Sequence, residues 1–144
     1  DEPNKARIEL GYIPRLSANG HSIIGVSPNQ HTVTSWFEQY RNGTVIPGVD
    51  TDPSIFTPIS PAKMERYLKM GLQIESKRVT QDQYSMAAGT ISVKVGAGVA
   101  NYNFMYNNCV TNCVQILKSA GYNPPNNAGL TPSQLFQWFK RTKP

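Results

Sequence analysis

Sulfur and imidazole are scarce in this chain of 144 residues: two cysteines, Cys109 and Cys113, and two histidines, His21 and His31. Two cysteines cannot hold a zinc ion without histidine partners, and both histidines lie far upstream with no finger-like spacing. A disulfide between cysteines one helical turn apart closes a tiny loop with poor geometry. The expectation is two free thiols, no metal and no cofactor.

Charge is also sparse, at 16% of residues against the usual ~25%. Lys and Arg number 14 against 9 acids, a net +5, but no block of consecutive positive charges occurs. A nucleic-acid-binding module or a nuclease is therefore the weaker class, since neither a basic cluster nor a paired-carboxylate or His-rich metal site is visible. No apolar run approaches the ~18 residues of a membrane span. Neither nucleic acid nor membrane is expected as a partner. No basic segment followed by an apolar one opens the chain, so no signal peptide is expected. The start at Asp1, without Met, reads as a domain trimmed from a longer polypeptide.

Glycine and proline, 11 of each, are plentiful and point to a loop-rich fold. The length fits one domain spanning 1–144, large enough to bury a core without staples. Strands are predicted over Ala6–Ile13 and His21–Ser27, the second bounded by turn residues. After a reversal at Pro28–Asn29–Gln30, a returning strand is predicted over His31–Phe37. Arg41–Pro61 carries four prolines and reads as a long loop, a groove lining or a surface excursion. Ser60 and Pro61 start a helix to Met70, and Leu72–Val79 reads as a strand. Thr80 and Gln83 form a capping box for a helix to about Val95. Asn108–Ala120 is the strongest helix, with Cys109, Cys113, Ile116, Leu117 and Ala120 on one stripe and Gly121 as its terminator. Thr131 and Pro132 start a last helix through Phe139.

Helix physics separates the two thiols. Cys109 lies in the first turn, where unsatisfied N–H groups favour a thiolate. Cys113, one turn on, behaves as a small buried hydrophobe. A thiolate nucleophile is commonly paired with an imidazole, and His21, at a strand start after Asn19–Gly20, is placed to project into a cleft. Trp36, Phe37 and Tyr40 read as core or as groove lining.

Gly20-His21-Ser22-Ile23-Ile24-Gly25 on a strand, followed by Tyr102-Asn103 and then Asn107-Asn108-Cys109 opening a helix, resembles the permuted papain-like cysteine hydrolases. In that arrangement the His strand precedes the Cys helix, as in lecithin:retinol acyltransferase-like proteins and deSUMOylating isopeptidases. The Leu117-Lys118-Ser119-Ala120-Gly121 helix end and the Leu130-Thr131-Pro132 return look especially like papain-like toxin domains at the C-termini of secreted interbacterial effectors. Thr34-Ser35-Trp36-Phe37 and the Gln81–Gln83 helix start fit the same pattern. The resemblance covers Ile8 to Phe139.

It implies an α+β fold, papain-like and circularly permuted, with an antiparallel sheet packed on the Cys-bearing helix. It implies Cys109 as nucleophile, His21 as general base and then acid, and the Cys109 backbone N–H in an oxyanion hole. A third polar residue often follows on the next strand. His31 is the first candidate for orienting His21, with Ser35 and Gln39 as alternatives.

The leading expectation is an effector toxin that cleaves a peptide or isopeptide bond in a bacterial protein. It would be delivered into the target cell within a larger effector, act in the cytoplasm, and be blocked by a cognate immunity protein over the cleft. The basic surface would suit an acidic partner. The alternatives are a peptidoglycan amidase acting in the periplasm, a deamidase or acyltransferase, and a non-enzymatic domain with a structural Cys109.

Overall fold

The computed structural model describes residues 5–41, 52–98, 100–102, 108–126 and 129–143. Its elements are β1 (Ala6–Ile13), β2 (His21–Ser27), β3 (Ser35–Arg41), β4 (Asp52–Pro58), α1 (Pro61–Lys69), β5 (Gln73–Val79), α2 (Gln81–Gly96), β6 (Ala100–Tyr102), α3 (Cys109–Ser119) and α4 (Pro132–Arg141). The strands form one sheet in the order β5-β1-β2-β3-β4-β6, every neighbouring pair antiparallel. The fold class is α+β.

Strand alternation sends side chains to two different cores. On one face, Ile8, Leu10, Ile24 and Val26 pack with Ala87 and Ile91 of α2, Cys113, Ile116 and Leu117 of α3, and Leu135, Phe136 and Phe139 of α4. On the other, Ile13 and Ile23 pack with Ile59 and with Tyr67 of α1, flanked by Trp36, Met64 and Met70. Each fully buried aliphatic side chain contributes roughly 1.5–3 kcal/mol. The sheet therefore carries three helices on one face and α1 on the other. No helix among the described residues is long and apolar enough to cross a membrane.

Local chemistry sets the helix ends as the sequence predicts. Ser60, Thr80, Asn108 and Thr131 are N-caps, and the last three form capping boxes. Helix α3 ends in a Schellman motif: Gly121 N–H donates to Lys118 O at 3.0 Å, Tyr122 N–H donates to Leu117 O at 3.1 Å, and Gly121 takes φ +92°.

Two expectations need correction. The returning strand starts at Ser35 rather than His31, because the reversal is wider than the Pro28–Asn29–Gln30 reading. Asn29 Oδ1 accepts from the N–H groups of His31 and Thr32, each at 2.8 Å. Ser27 Oγ donates to Asn29 O at 2.7 Å, and the Arg7 guanidinium donates to Asn29 O and Thr32 O. The stretch Arg41–Pro61 is not all loop, since Asp52–Pro58 is β4. Its prolines lie near its ends, where a missing N–H is tolerated, and β6 pairs only with Asp52–Ser54. Residues 42–51 lie outside the described residues.

Candidate active site

The β2–β3 ladder is short. It joins Val26 to Ser35, Gly25 to Trp36 and Ile24 to Phe37, and stops there. Beyond that point His21–Ile23 and Glu38–Tyr40 are unpaired with each other, and the N-terminus of α3 sits at the opening. A cleft of about 790 Å³ results, lined by His21, Glu38 and Tyr40 from the strands, Lys63 and Tyr67 from α1, and Cys109 from α3. Leu16, Ile55, Met70 and Leu130 add apolar wall.

Gly20 aims His21. It takes φ +81°, and a Cβ there would lie 2.6 Å from Tyr12 Cε1, so only glycine makes this turn freely. Asn108 aims Cys109. Its side chain accepts from Thr111 N–H at 2.9 Å while Thr111 Oγ1 accepts from Asn108 N–H at 2.8 Å, which fixes the first turn of α3. Asn103 and Asn107, which carry part of the sequence motif, lie outside the described residues.

The imidazole of His21 stands between Glu38 and Cys109. Nε2 lies 2.8 Å from Glu38 Oε1, and the Cys109 side chain acts on the same ring. Burial opposes charge on His21, but the bonds to Cys109 and Glu38 outweigh it and raise its pKa from 6.5 to about 9. Burial likewise opposes a Cys109 thiolate, yet His21 and the backbone N–H groups of Ser22 and Val110 outweigh it and lower the thiol pKa. The two shifts run in the direction of a thiolate–imidazolium pair. Cys113, by contrast, is 1% exposed, and burial pushes its thiol well above the ordinary value.

Glu38 is the residue the sequence reading missed. Its side chain is 1% exposed, and Oε2 lies 2.6 Å from Lys63 Nζ. Tyr67 Oη donates to Oε1 at 2.5 Å. Burial pushes its carboxyl up, but His21, Lys63 and Tyr67 together hold it below the ordinary range. A signal was present: Trp36, Glu38 and Tyr40 alternate along β3 on one face, so a carboxylate was pointing inward between two aromatics.

His31 is corrected accordingly. It lies in the β2–β3 turn, exposed, outside the cleft lining, and the bond to His21 is made by Glu38. Of the alternatives, Ser35 is exposed at the start of β3. Gln39 reaches the cleft but donates through Nε2 to Ser54 Oγ at 3.0 Å. Of the aromatics, Trp36 and Phe37 pack against the two cores, while Tyr40 lines the cleft. Among the described residues no cluster of His, Cys, Asp or Glu has the arrangement of a metal site.

No protein-family model matches the chain, and no curated protein matches it. Among solved structures, the crystal structure of the type VI secretion system effector TseH is similar, with a TM-score of 0.71. The match covers 99% of this chain and 91% of that one at 16% sequence identity. At that identity what the two chains share is a fold, and the α+β architecture described above is the one they have in common.

Proposed function

We propose that this chain is an effector toxin of the permuted papain-like type, a thiol hydrolase that cleaves a peptide or isopeptide bond in a bacterial protein. The observation that carries the reading is the meeting of Cys109, His21 and Glu38 at one cleft, with His21 bonded to Glu38, the thiol pKa lowered and the imidazole pKa raised. The order of His strand before Cys helix supports the permuted assignment. Likeness in fold to a type VI secretion effector supports delivery into a target bacterium.

In this mechanism the Cys109 thiolate attacks the scissile carbonyl carbon. Charge develops on the carbonyl oxygen, where the Cys109 backbone N–H at the helix start is available to stabilise it. His21 gives its proton to the leaving amine, and the C–N bond breaks to an acyl-enzyme. The now neutral imidazole takes a proton from water, whose hydroxyl attacks the thioester, and the acid product leaves as Cys109 regains its thiolate. Glu38 keeps the ring in place through both proton transfers. A cognate immunity protein would block the cleft.

Expression of wild type and of Cys109→Ala in the cytoplasm and, with an export signal, in the periplasm of a test bacterium examines the reading. Growth arrest by the cytoplasmic wild type, absent in Cys109→Ala, is expected. Full toxicity of Cys109→Ala would sink the thiol mechanism. Toxicity confined to the exported form would replace the protein target with peptidoglycan.

A further inference from the structure

We propose that Lys63 and Tyr67, one turn apart on α1, are positioning residues that keep Glu38 ionised and fixed so that it can hold the His21 ring against Cys109. The proposal rests on the Cys109–His21 reading above. Its basis is the set of contacts around one buried carboxylate. Oε1 takes Tyr67 Oη at 2.5 Å and His21 Nε2 at 2.8 Å, and Oε2 is ion-paired with Lys63 Nζ at 2.6 Å. A buried carboxylate without such partners takes up a proton. A neutral carboxyl would lose most of its attraction for the imidazolium, and the imidazolium is what stabilises the thiolate.

Spacing explains why α1 does this. Residues i and i+4 project from one helix face, so a single helix delivers an ammonium and a hydroxyl to the two oxygens of one side chain. Lys63 is itself confined: its Nζ lies 4.3 Å from the Tyr40 ring centre and 5.8 Å from that of Tyr67. The Tyr67 ring also meets the His21 ring edge-on, with centres 6.0 Å apart. The titratable and charged groups around the carboxylate are therefore His21 on β2, Tyr40 on β3, Lys63, Arg66 and Tyr67 on α1, and Cys109 on α3 beyond the imidazole. Lys63 is the cation in contact, and Arg66 acts on Tyr67 from a distance. A purely structural role would have Tyr67 serve the second core cluster and Lys63 serve solubility.

The test follows the rate of Cys109 alkylation by iodoacetamide, read by mass spectrometry of its peptide from pH 5 to 9.5. It uses wild type, Lys63→Met, Lys63→Arg, Tyr67→Phe and His21→Ala, with thermal melts to confirm folding. Lys63→Met and Tyr67→Phe are expected to shift the alkylation profile about one unit to higher pH, a tenfold loss on its acid limb, and to match wild type at pH 9.5. Lys63→Arg, which keeps the charge, is expected to restore the wild-type profile. Should Lys63→Met unfold, Tyr67→Phe decides, because it keeps the ring and removes only the hydroxyl. Profiles of folded Lys63→Met and Tyr67→Phe superimposed on wild type, while His21→Ala is shifted, overturn the positioning role and leave the thiol–imidazole pair standing. A wild-type profile in His21→Ala overturns the pair itself, and the proposal with it.

Discussion

His21 and Glu38 are hydrogen-bonded at 2.8 Å at the place where their strands, β2 and β3, have stopped pairing. The ladder ends at Ile24 and Phe37. The space that opens is where α3, packed on the face opposite α1, brings its first residue to the imidazole. Most of the site's chemistry depends on that early end of one ladder.

The two thiols differ in reactivity. Iodoacetamide near pH 7 is expected to label Cys109 quickly and Cys113 hardly at all in the folded protein, since only Cys109 has its pKa lowered and a place in the cleft. Equal labelling would contradict this. Cys113→Ala should keep activity and lose about 1 kcal/mol of stability, read from urea denaturation.

Glu38→Gln removes the negative charge beside His21 while nearly keeping the shape. Activity is expected to fall roughly a hundredfold, with the fold intact by circular dichroism. His31→Ala, in the exposed turn, is expected to leave activity unchanged. The pair of measurements separates the two residues as orienters of His21.

Stability should depend on pH in a defined way. The raised His21 pKa contributes stability that is complete below 6.5 and is lost as pH rises through about 9. The lowered Cys109 pKa contributes stability present above 9.0 and lost as pH falls. Between about 6.5 and 9 the two slopes oppose each other. Below 4.5 Glu38, whose pKa is also lowered, adds a loss of its own. The urea midpoint should thus change less between pH 6.5 and 9 than the His21 slope alone would give, and fall toward about pH 4.

Gly20→Ala places a Cβ 2.6 Å from Tyr12 Cε1 on a backbone with φ +81°. A loss of about 1–3 kcal/mol is expected. Activity should fall further than stability alone explains, because the same turn aims His21. A thermal melt beside an activity assay at low temperature checks both.

Asn108→Ala deletes the side-chain acceptor for Thr111 N–H and should cost about 1 kcal/mol. Asn108→Asp, which keeps an acceptor, should retain stability. The first turn of α3 carries Cys109, so the alanine variant is also expected to slow Cys109 alkylation at neutral pH.

Much of this was legible in the chain. The caps at Ser60, Thr80, Asn108 and Thr131 are local chemistry, so the helices they start were predicted within a residue or two. Strands β1 and β2 follow from alternation bounded by turn residues. Strand β3 was misplaced because the Asn29 and Ser27 side chains, with help from Arg7 on β1, hold a wider reversal than a short turn. Strand β4 was hidden by its prolines, which matter less at strand ends beside a short partner.

The amino-acid order alone determined that Cys109 and Cys113 are unequal, because a helix start and a helix interior differ in electrostatics whatever surrounds them. It also left only two imidazoles to weigh. Only the tertiary structure decided that a glutamate rather than His31 lies behind the His21 imidazole. Those contacts join β2, β3, α1 and α3 across long stretches of chain. They depend on where one ladder stops and on which helix packs on which face, and no local pattern encodes either.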